Sequence, residues 1–162
     1  MTPLDVAKGI AEFLNQQLLP ELVDLKDGHY EDIKCYAGFL PRANTNETRK
    51  KLCPAIVVTP SSVDDKLTVA KTRITVNVTT YDEDMICGHE SLYHLLERIR
   101  YLLLSNNPIN MKYNIVDSEL LTTIPEDQPY PQWWAYIEFD VHIATISRNF
   151  NDIFAFNKAI KN

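Results

Sequence analysis

At 162 residues, 45% hydrophobic and 23% charged, the chain is long enough to bury one core without metal or disulfide staples and too apolar for wholesale disorder. The formal net charge of −6 argues against tight, non-specific nucleic-acid binding, because that affinity comes from Lys and Arg displacing counterions from phosphate. Cys35, Cys53 and Cys87 form no CxxC pair and are expected to be reduced; no basic-then-apolar leader opens the chain, and no apolar run approaches a membrane span.

Thr2, Pro3 and Asp5 predict a helix start: a capping hydroxyl, a proline at the first helical position and an acid near the positive end of the dipole. Leu4, Ala7, Ile10, Ala11, Leu14 and Leu18 then recur at three- and four-residue intervals, and Pro20 ends or kinks the helix, giving a span of 1–20. Leu25 to His29 reads as a turn. Ile33 to Leu40 is a first strand with Cys35, Ala37 and Phe39 on one face. The polar, aperiodic stretch Pro41 to Lys51 reads as a long, mobile hairpin loop. Pro54 to Pro60 is a short β-branched strand bracketed by prolines, and Ser61 to Lys66 a polar turn.

Thr72, Ile74, Val76, Val78 and Thr80 alternate with Arg73, Thr75, Asn77, Thr79 and Tyr81, a strand that closes on Asp82, Glu83 and Asp84. From Gly88 to Leu104 the pattern changes to helical: Leu92, Leu95, Leu96, Ile99, Leu102 and Leu103 share one face, and Ser105 to Pro108 stops the helix. Lys112 to Leu121 is expected to form one or two short strands. Three prolines between Pro125 and Pro131 predict an extended segment. Trp133, Ala135, Ile137, Phe139, Val141 and Ile143 then alternate with polar neighbours in the clearest strand of the chain. Phe150 to Ile160 reads as a short terminal helix whose aromatic content predicts docking on this chain or a neighbour.

The expected fold is α+β, a single domain over 1–162. A mainly antiparallel sheet of four or more strands spans 33–146, with the N-terminal helix and the central helix 88–104 packed on one face, and a short C-terminal helix at 150–160. The opposite face, carrying Arg73, Thr75, Asn77, Glu138 and Asp140, is then solvated or used for contact.

No reactive centre stands out. Cys87, His89 and His94 fit no common zinc spacing and read as helix-surface groups. Asp82, Glu83 and Asp84 could hold a divalent cation through oxygen ligands, as in a small metal-dependent hydrolase using Asp82 and Asp84. Acids also gather where a helix begins, and that reading is preferred. With four glycines there is no phosphate-cradling loop, no serine sits in a nucleophile elbow, and neither enzyme activity nor a cofactor is expected. Arg42 with Arg49, Lys50 and Lys51 is the only basic cluster: a solvated loop tip, a nucleic-acid contact, or an arm reaching an acidic patch on another copy. In Pro129-Tyr-Pro-Gln-Trp-Trp134, Trp133 has the apolar phase and reads as core, and Trp134 the opposite phase and reads as a contact residue.

The order of these features resembles the tail terminator or tail-completion proteins of long-tailed bacteriophages and prophages. The resemblance covers roughly residues 30–146. It lies in Pro54-Ala-Ile-Val-Val-Thr, the strand closing on Tyr81-Asp-Glu-Asp, Gly88-His-Glu-Ser-Leu, Leu95-Leu-Glu-Arg-Ile-Arg, and Glu126-Asp-Gln-Pro-Tyr-Pro-Gln-Trp before the last strand. The resemblance implies a subunit that forms a ring, commonly a hexamer, caps the tail tube, stops its polymerisation and offers the head a docking surface. It implies as partners the chain itself, the tail tube protein and a head-connector protein, with DNA passing through the lumen unbound and no membrane. The place implied is the virion neck, after assembly in the bacterial cytoplasm. A head-completion or connector-joining role is the alternative. Exposure and phase nominate Arg42, Arg49, Lys50, Lys51, Asp82, Glu83, Asp84, Tyr130, Trp134, Phe150 and Phe154 as interface residues.

Overall fold

The structure, a computed structural model, describes residues 1–18, 33–40, 45 and 52–146. Among the described residues, two helices and a five-stranded mixed sheet make an α+β fold. In chain order the elements are α1 (Pro3–Leu18), β1 (Lys34–Ala37), β2 (Ala55–Asp65), β3 (Ala70–Tyr81), α2 (Glu90–Ser105), a 3-10 turn at Val116–Ser118, β4 (Leu121–Thr123) and β5 (Gln132–Ile143). The strand order is β1-β2-β3-β5-β4, with one parallel pairing, β1 to β2, and three antiparallel ones.

Helix α1 starts as its sequence dictates. The Asp5 amide donates to Thr2 Oγ1 at 3.2 Å and the Thr2 amide donates to Asp5 Oδ2 at 2.8 Å, so two otherwise orphaned donors are satisfied reciprocally. The carboxylate is thereby held below its usual range, chiefly by the Thr2 backbone donor. Val6, Ala7, Ile10, Leu14 and Leu18 are buried against β1 and β2. Asn15 fastens the helix to the outermost strand: its Nδ2 donates to the Cys35 carbonyl at 3.2 Å and its Oδ1 accepts from the Cys35 amide at 2.9 Å. Those side-chain bonds satisfy edge groups that no further strand covers among the described residues.

Strands β3 and β5 run in register along their whole length, and Ile74 opposite Phe139, Val76 opposite Ile137 and Val78 opposite Ala135 build the centre of the core. The α2 stripe, from Leu92 to Leu103, joins the same apolar cluster as α1 and these strand residues. Each fully buried Ile or Leu in it contributes about 1.5–3 kcal/mol. Between α2 and β4 the chain is pinned by Tyr113, whose ring lies on Gly9 so closely that any Cβ there would collide with it. Its hydroxyl donates to the Asp5 carbonyl at 3.3 Å.

Several expectations need correction. β1 and β2 pair in parallel, Lys34 opposite Ala55, so these two strands are not the arms of a hairpin; the expected loop from Pro41 to Lys51, Thr45 apart, lies outside the described residues. β1 ends at Ala37, where Gly38 turns the chain, and Phe39 is 86% exposed instead of sharing the buried face of Cys35. Ser61 to Asp65 is not a turn. It continues β2 past a bulge at Pro60/Ser62, because the long edge of β3 offers partners: Thr72 Oγ1 donates to the Ser62 carbonyl at 3.0 Å and Ser61 Oγ to the Arg73 carbonyl at 3.3 Å. The stretch from Lys112 to Leu121 forms isolated bridges, Ile109 with Tyr113 and Ile115 with Val141, followed by the 3-10 turn; only Leu121–Thr123 is a strand. The proline-rich segment is not extended: the Tyr130 amide bonds back to the Gln128 carbonyl at 2.8 Å and the Gln132 amide to that of Pro129 at 2.9 Å, two successive turns. α2 begins at Glu90, two residues later than expected, because Gly88 is held in the preceding turn by the Asp84 carbonyl. The proposed terminal helix at 150–160 and the kink at Pro20 lie outside the described residues.

All three cysteines are free thiols, with Cys35 and Cys53 buried. Burial pushes the Cys35 thiol up to about 12, which makes it inert near neutral pH. Among the described residues no helix is long and apolar enough to cross a membrane.

Candidate functional site

At one end of the sheet, stretches far apart in sequence close into a single corner. β3 finishes at Tyr81, opposite Gln132 at the start of β5. The Asp82 amide then donates to the Pro131 carbonyl at 3.0 Å, which carries the strand pairing one residue into the turn. Trp133 Nε1 donates to the Asp82 carbonyl at 3.1 Å, and the Tyr130 hydroxyl to the Glu83 carbonyl at 2.7 Å. Cys53, just before β2, closes the far side: Gln132 Nε2 lies 3.7 Å from its Sγ.

The three acids shape this corner from within. Asp82 Oδ1 accepts the Asp84 amide at 2.9 Å; Asp84 Oδ1 accepts the amides of Ile86 at 2.8 Å and Cys87 at 3.1 Å. Such side-chain-to-backbone bonds are why Asp recurs where a chain must turn before a helix. The Gly88 amide donates to the Asp84 carbonyl at 3.0 Å, and a Cβ on Gly88 would run into that carbonyl oxygen and crowd Trp133 Nε1. Only glycine permits this approach. The Tyr81 hydroxyl donates to Glu83 Oε1 at 2.9 Å, and this bond, ahead of burial and the carboxylate charge, raises the phenol above its ordinary value of 10.0.

A row of rings backs the corner. Tyr130 meets Trp133 edge-on at 6.3 Å between centroids, Trp133 meets His89 at 5.9 Å, and His89 meets Tyr93 edge-on at 5.9 Å. Edge-to-face contacts of this kind favour a fixed arrangement of rings. The result is a rigid turn that holds Met85 and Ile86 out in solvent, 75% and 80% exposed, with Glu83 and Glu90 exposed beside them. What the corner offers chemically is two exposed apolar side chains on a hydrogen-bonded turn. The Asp82 and Asp84 carboxylates are engaged by backbone N–H groups, and among the described residues no three His, Cys, Asp or Glu gather where a metal ion could sit.

Asp82, Glu83, Asp84 and Tyr130, nominated from sequence, are therefore brought together. Trp134 is placed elsewhere, on the opposite sheet face, where it stacks on Tyr136 at 5.5 Å and 27°. Gln128 clamps its backbone like a short strand: Nε2 donates to the Trp134 carbonyl at 3.0 Å and Oε1 accepts the Trp134 amide at 2.7 Å. Farther along that face Asp140 takes Lys71 Nζ at 2.6 Å and Arg73 Nε at 2.9 Å. The Arg73 hydrogen bond, followed by Lys71, holds the Asp140 carboxyl below its ordinary 3.8 against the opposing effect of burial. Arg42, Arg49, Lys50, Lys51, Phe150 and Phe154 lie outside the described residues.

The chain matches no protein-family model and no curated protein. Sequence reasoning missed Gly88, Gln128 and the Trp133 N–H as parts that hold the corner and the strand entry. One signal was present for Gly88: a glycine between an acidic turn and a helix marks a close approach. For Gln128 there was none, because a glutamine among prolines does not announce its partner.

Proposed function

We propose that the chain is a ring-forming structural subunit of the tail-terminator kind, which caps a phage tail tube, ends its polymerisation and gives the head its docking surface. What supports this is one observation. Tyr81-Asp-Glu-Asp, Gly88-His-Glu-Ser-Leu and Glu126 to Trp133, which carry the resemblance, fold onto one another at a single corner that presents Met85 and Ile86 for contact. A hydrogen-bonded turn bearing exposed apolar side chains suits docking by shape, because little conformational freedom is lost when a partner covers it.

In this scheme α1 and α2 pack on one sheet face, and a short C-terminal helix docks on this chain or on a neighbour. The opposite face, with Arg73, Thr75, Asn77, Glu138, Asp140 and Trp134, turns toward neighbours or the lumen. The acidic balance of the subunit lets DNA slide past without sticking. Assembly takes place in the bacterial cytoplasm and the ring ends in the virion neck.

Light scattering at about tens of micromolar tests the ring, since self-association follows mass action. The expected mass is a multiple of the 18.7 kDa subunit, commonly six, lowered by Met85→Asp with Ile86→Asp. A strict monomer, alone and with tail tube protein, sinks the proposal. Assembly without the protein separates the two structural roles: overlong tails mark a terminator, and leaking heads mark a connector-joining protein.

A further inference from the structure

A sheet edge is a row of backbone donors and acceptors that a strand from another copy of the chain can take up. Among the described residues β1 and β4 are the outermost strands, and β2 becomes outermost as well where β1 stops. β1 is four residues long, and Asn15 already occupies the Cys35 amide and carbonyl. β4 is three residues long. Edges as short as these template poorly.

The longer edge is at the tip of the β2–β3 hairpin, an arm formed by residues 61–69. β1 covers β2 only from Ala55 to Val58. The Gly38 amide then donates to the Val58 carbonyl at 2.8 Å, and Thr59 Oγ1 donates to the Gly38 carbonyl at 2.7 Å. Past that point Ser61 to Asp65 belong to a strand paired with β3 on one side and with no strand on the other among the described residues, and residues 61–69 are exposed throughout. Five extended residues with a half-exposed Val63 among them are long enough to template a strand.

The same stretch carries features that oppose pairing. Pro60 has no N–H to donate where the edge opens. The bulge at Pro60/Ser62 breaks the regular spacing of the edge and increases its twist. Asp64 and Asp65 are consecutive, so they project to opposite faces: Asp64 stands opposite Lys71 on the polar face, and Asp65 opposite the buried Ala70 on the helix side. A strand laid along this edge would meet a carboxylate on either face and strip water from both. Asp64 has only a surface pair, with Lys66 at 3.5 Å, and stays 49% exposed.

We propose that Pro60, the bulge, Asp64 and Asp65 close the β2 edge to strand addition, so that a second copy meets this chain through side chains and not by extending its sheet. The inference does not depend on the ring reading.

Asp64→Thr/Asp65→Thr tests it, because threonine suits a strand and removes both charges. At about tens of micromolar, sedimented protein and thioflavin T emission are each expected to rise by about tenfold or more over the unaltered chain. Asp64→Lys/Asp65→Lys keeps a charge on each face and is expected to stay at the unaltered level. Urea midpoints in dilute solution, unchanged in both variants, show that they fold. A Thr variant that sediments and stains no more than the unaltered chain overturns the proposal, as does a Lys variant that associates as strongly. A rise that comes with a fallen midpoint also overturns it, by assigning the association to unfolding. Ring formation changes the starting mass and not the thioflavin signal, so failure of the ring reading is distinguishable from failure here.

Discussion

The acidic corner and the β2–β3 arm occupy opposite ends of the same strands and are held in opposite ways. At the corner, side chains bond backbone groups from distant stretches, such as Trp133 to Asp82 and Tyr130 to Glu83, so each bond closes a long loop. On the arm, most bonds join β2 to the adjacent β3, and Ser61 to Asp65 have no strand on their outer side among the described residues. Exposed apolar groups at the corner are thus displayed on a rigid mount, whereas those on the arm stand on a ribbon secured from one side. Similar exposure at the two ends therefore rests on different support.

The largest effect that distinguishes the two regions is expected from Gly88→Val, which forces a side chain into the Asp84 carbonyl and the Trp133 ring. Thermal or urea unfolding is expected to show a loss of about 3 kcal/mol or more, as for overpacking combined with a broken turn. Trp133→Phe keeps most of the ring volume and removes the N–H that serves the Asp82 carbonyl. A loss of about 1–2 kcal/mol is expected, the cost of an unsatisfied acceptor; a change near zero means water replaces the indole.

Asp140, at the base of the arm, comes next. Its folded carboxyl lies below the ordinary 3.8, so its contribution is present above that value and is lost as pH falls through the lower folded value. Asp140→Asn is expected to cost about 1 kcal/mol at neutral pH, with partial exposure of Lys71 and Arg73 keeping the figure small, and to flatten the acid limb of stability against pH. An acid limb identical to that of the unaltered chain removes Asp140 from the account. The smallest effect is at the arm itself. Asp64→Asn breaks a fully surface pair with Lys66 at 3.5 Å and is expected to change unfolding by no more than about 0.5 kcal/mol.

Local rules made much of the fold legible. The Thr2–Asp5 cap, the stripes of α1 and α2, and the alternation in β3 and β5 are each carried by residues within a few positions of one another, so their periods survive in the sequence. Half of the candidate corner was legible for the same reason: three acids before a helix and an aromatic run after prolines draw the eye without showing that they touch. Trp134, nominated on phase, faces the other side of the sheet from Trp133, and phase alone could not say which tryptophan would reach the acids.

The sequence by itself determined α1, α2, β3 and β5 and which face of each is apolar, because side-chain periodicity is a property of one element. Tertiary structure decided the direction of β1, since a period of two is the same for a parallel or an antiparallel neighbour. It also decided that polar Ser61–Asp65 would be a strand, because the partner edge of β3 supplies the pairing that local composition withholds. And it alone brought Asp82, Gly88, Tyr130 and Trp133 together, because those contacts join residues up to 51 positions apart, a separation on which neither propensity nor spacing bears.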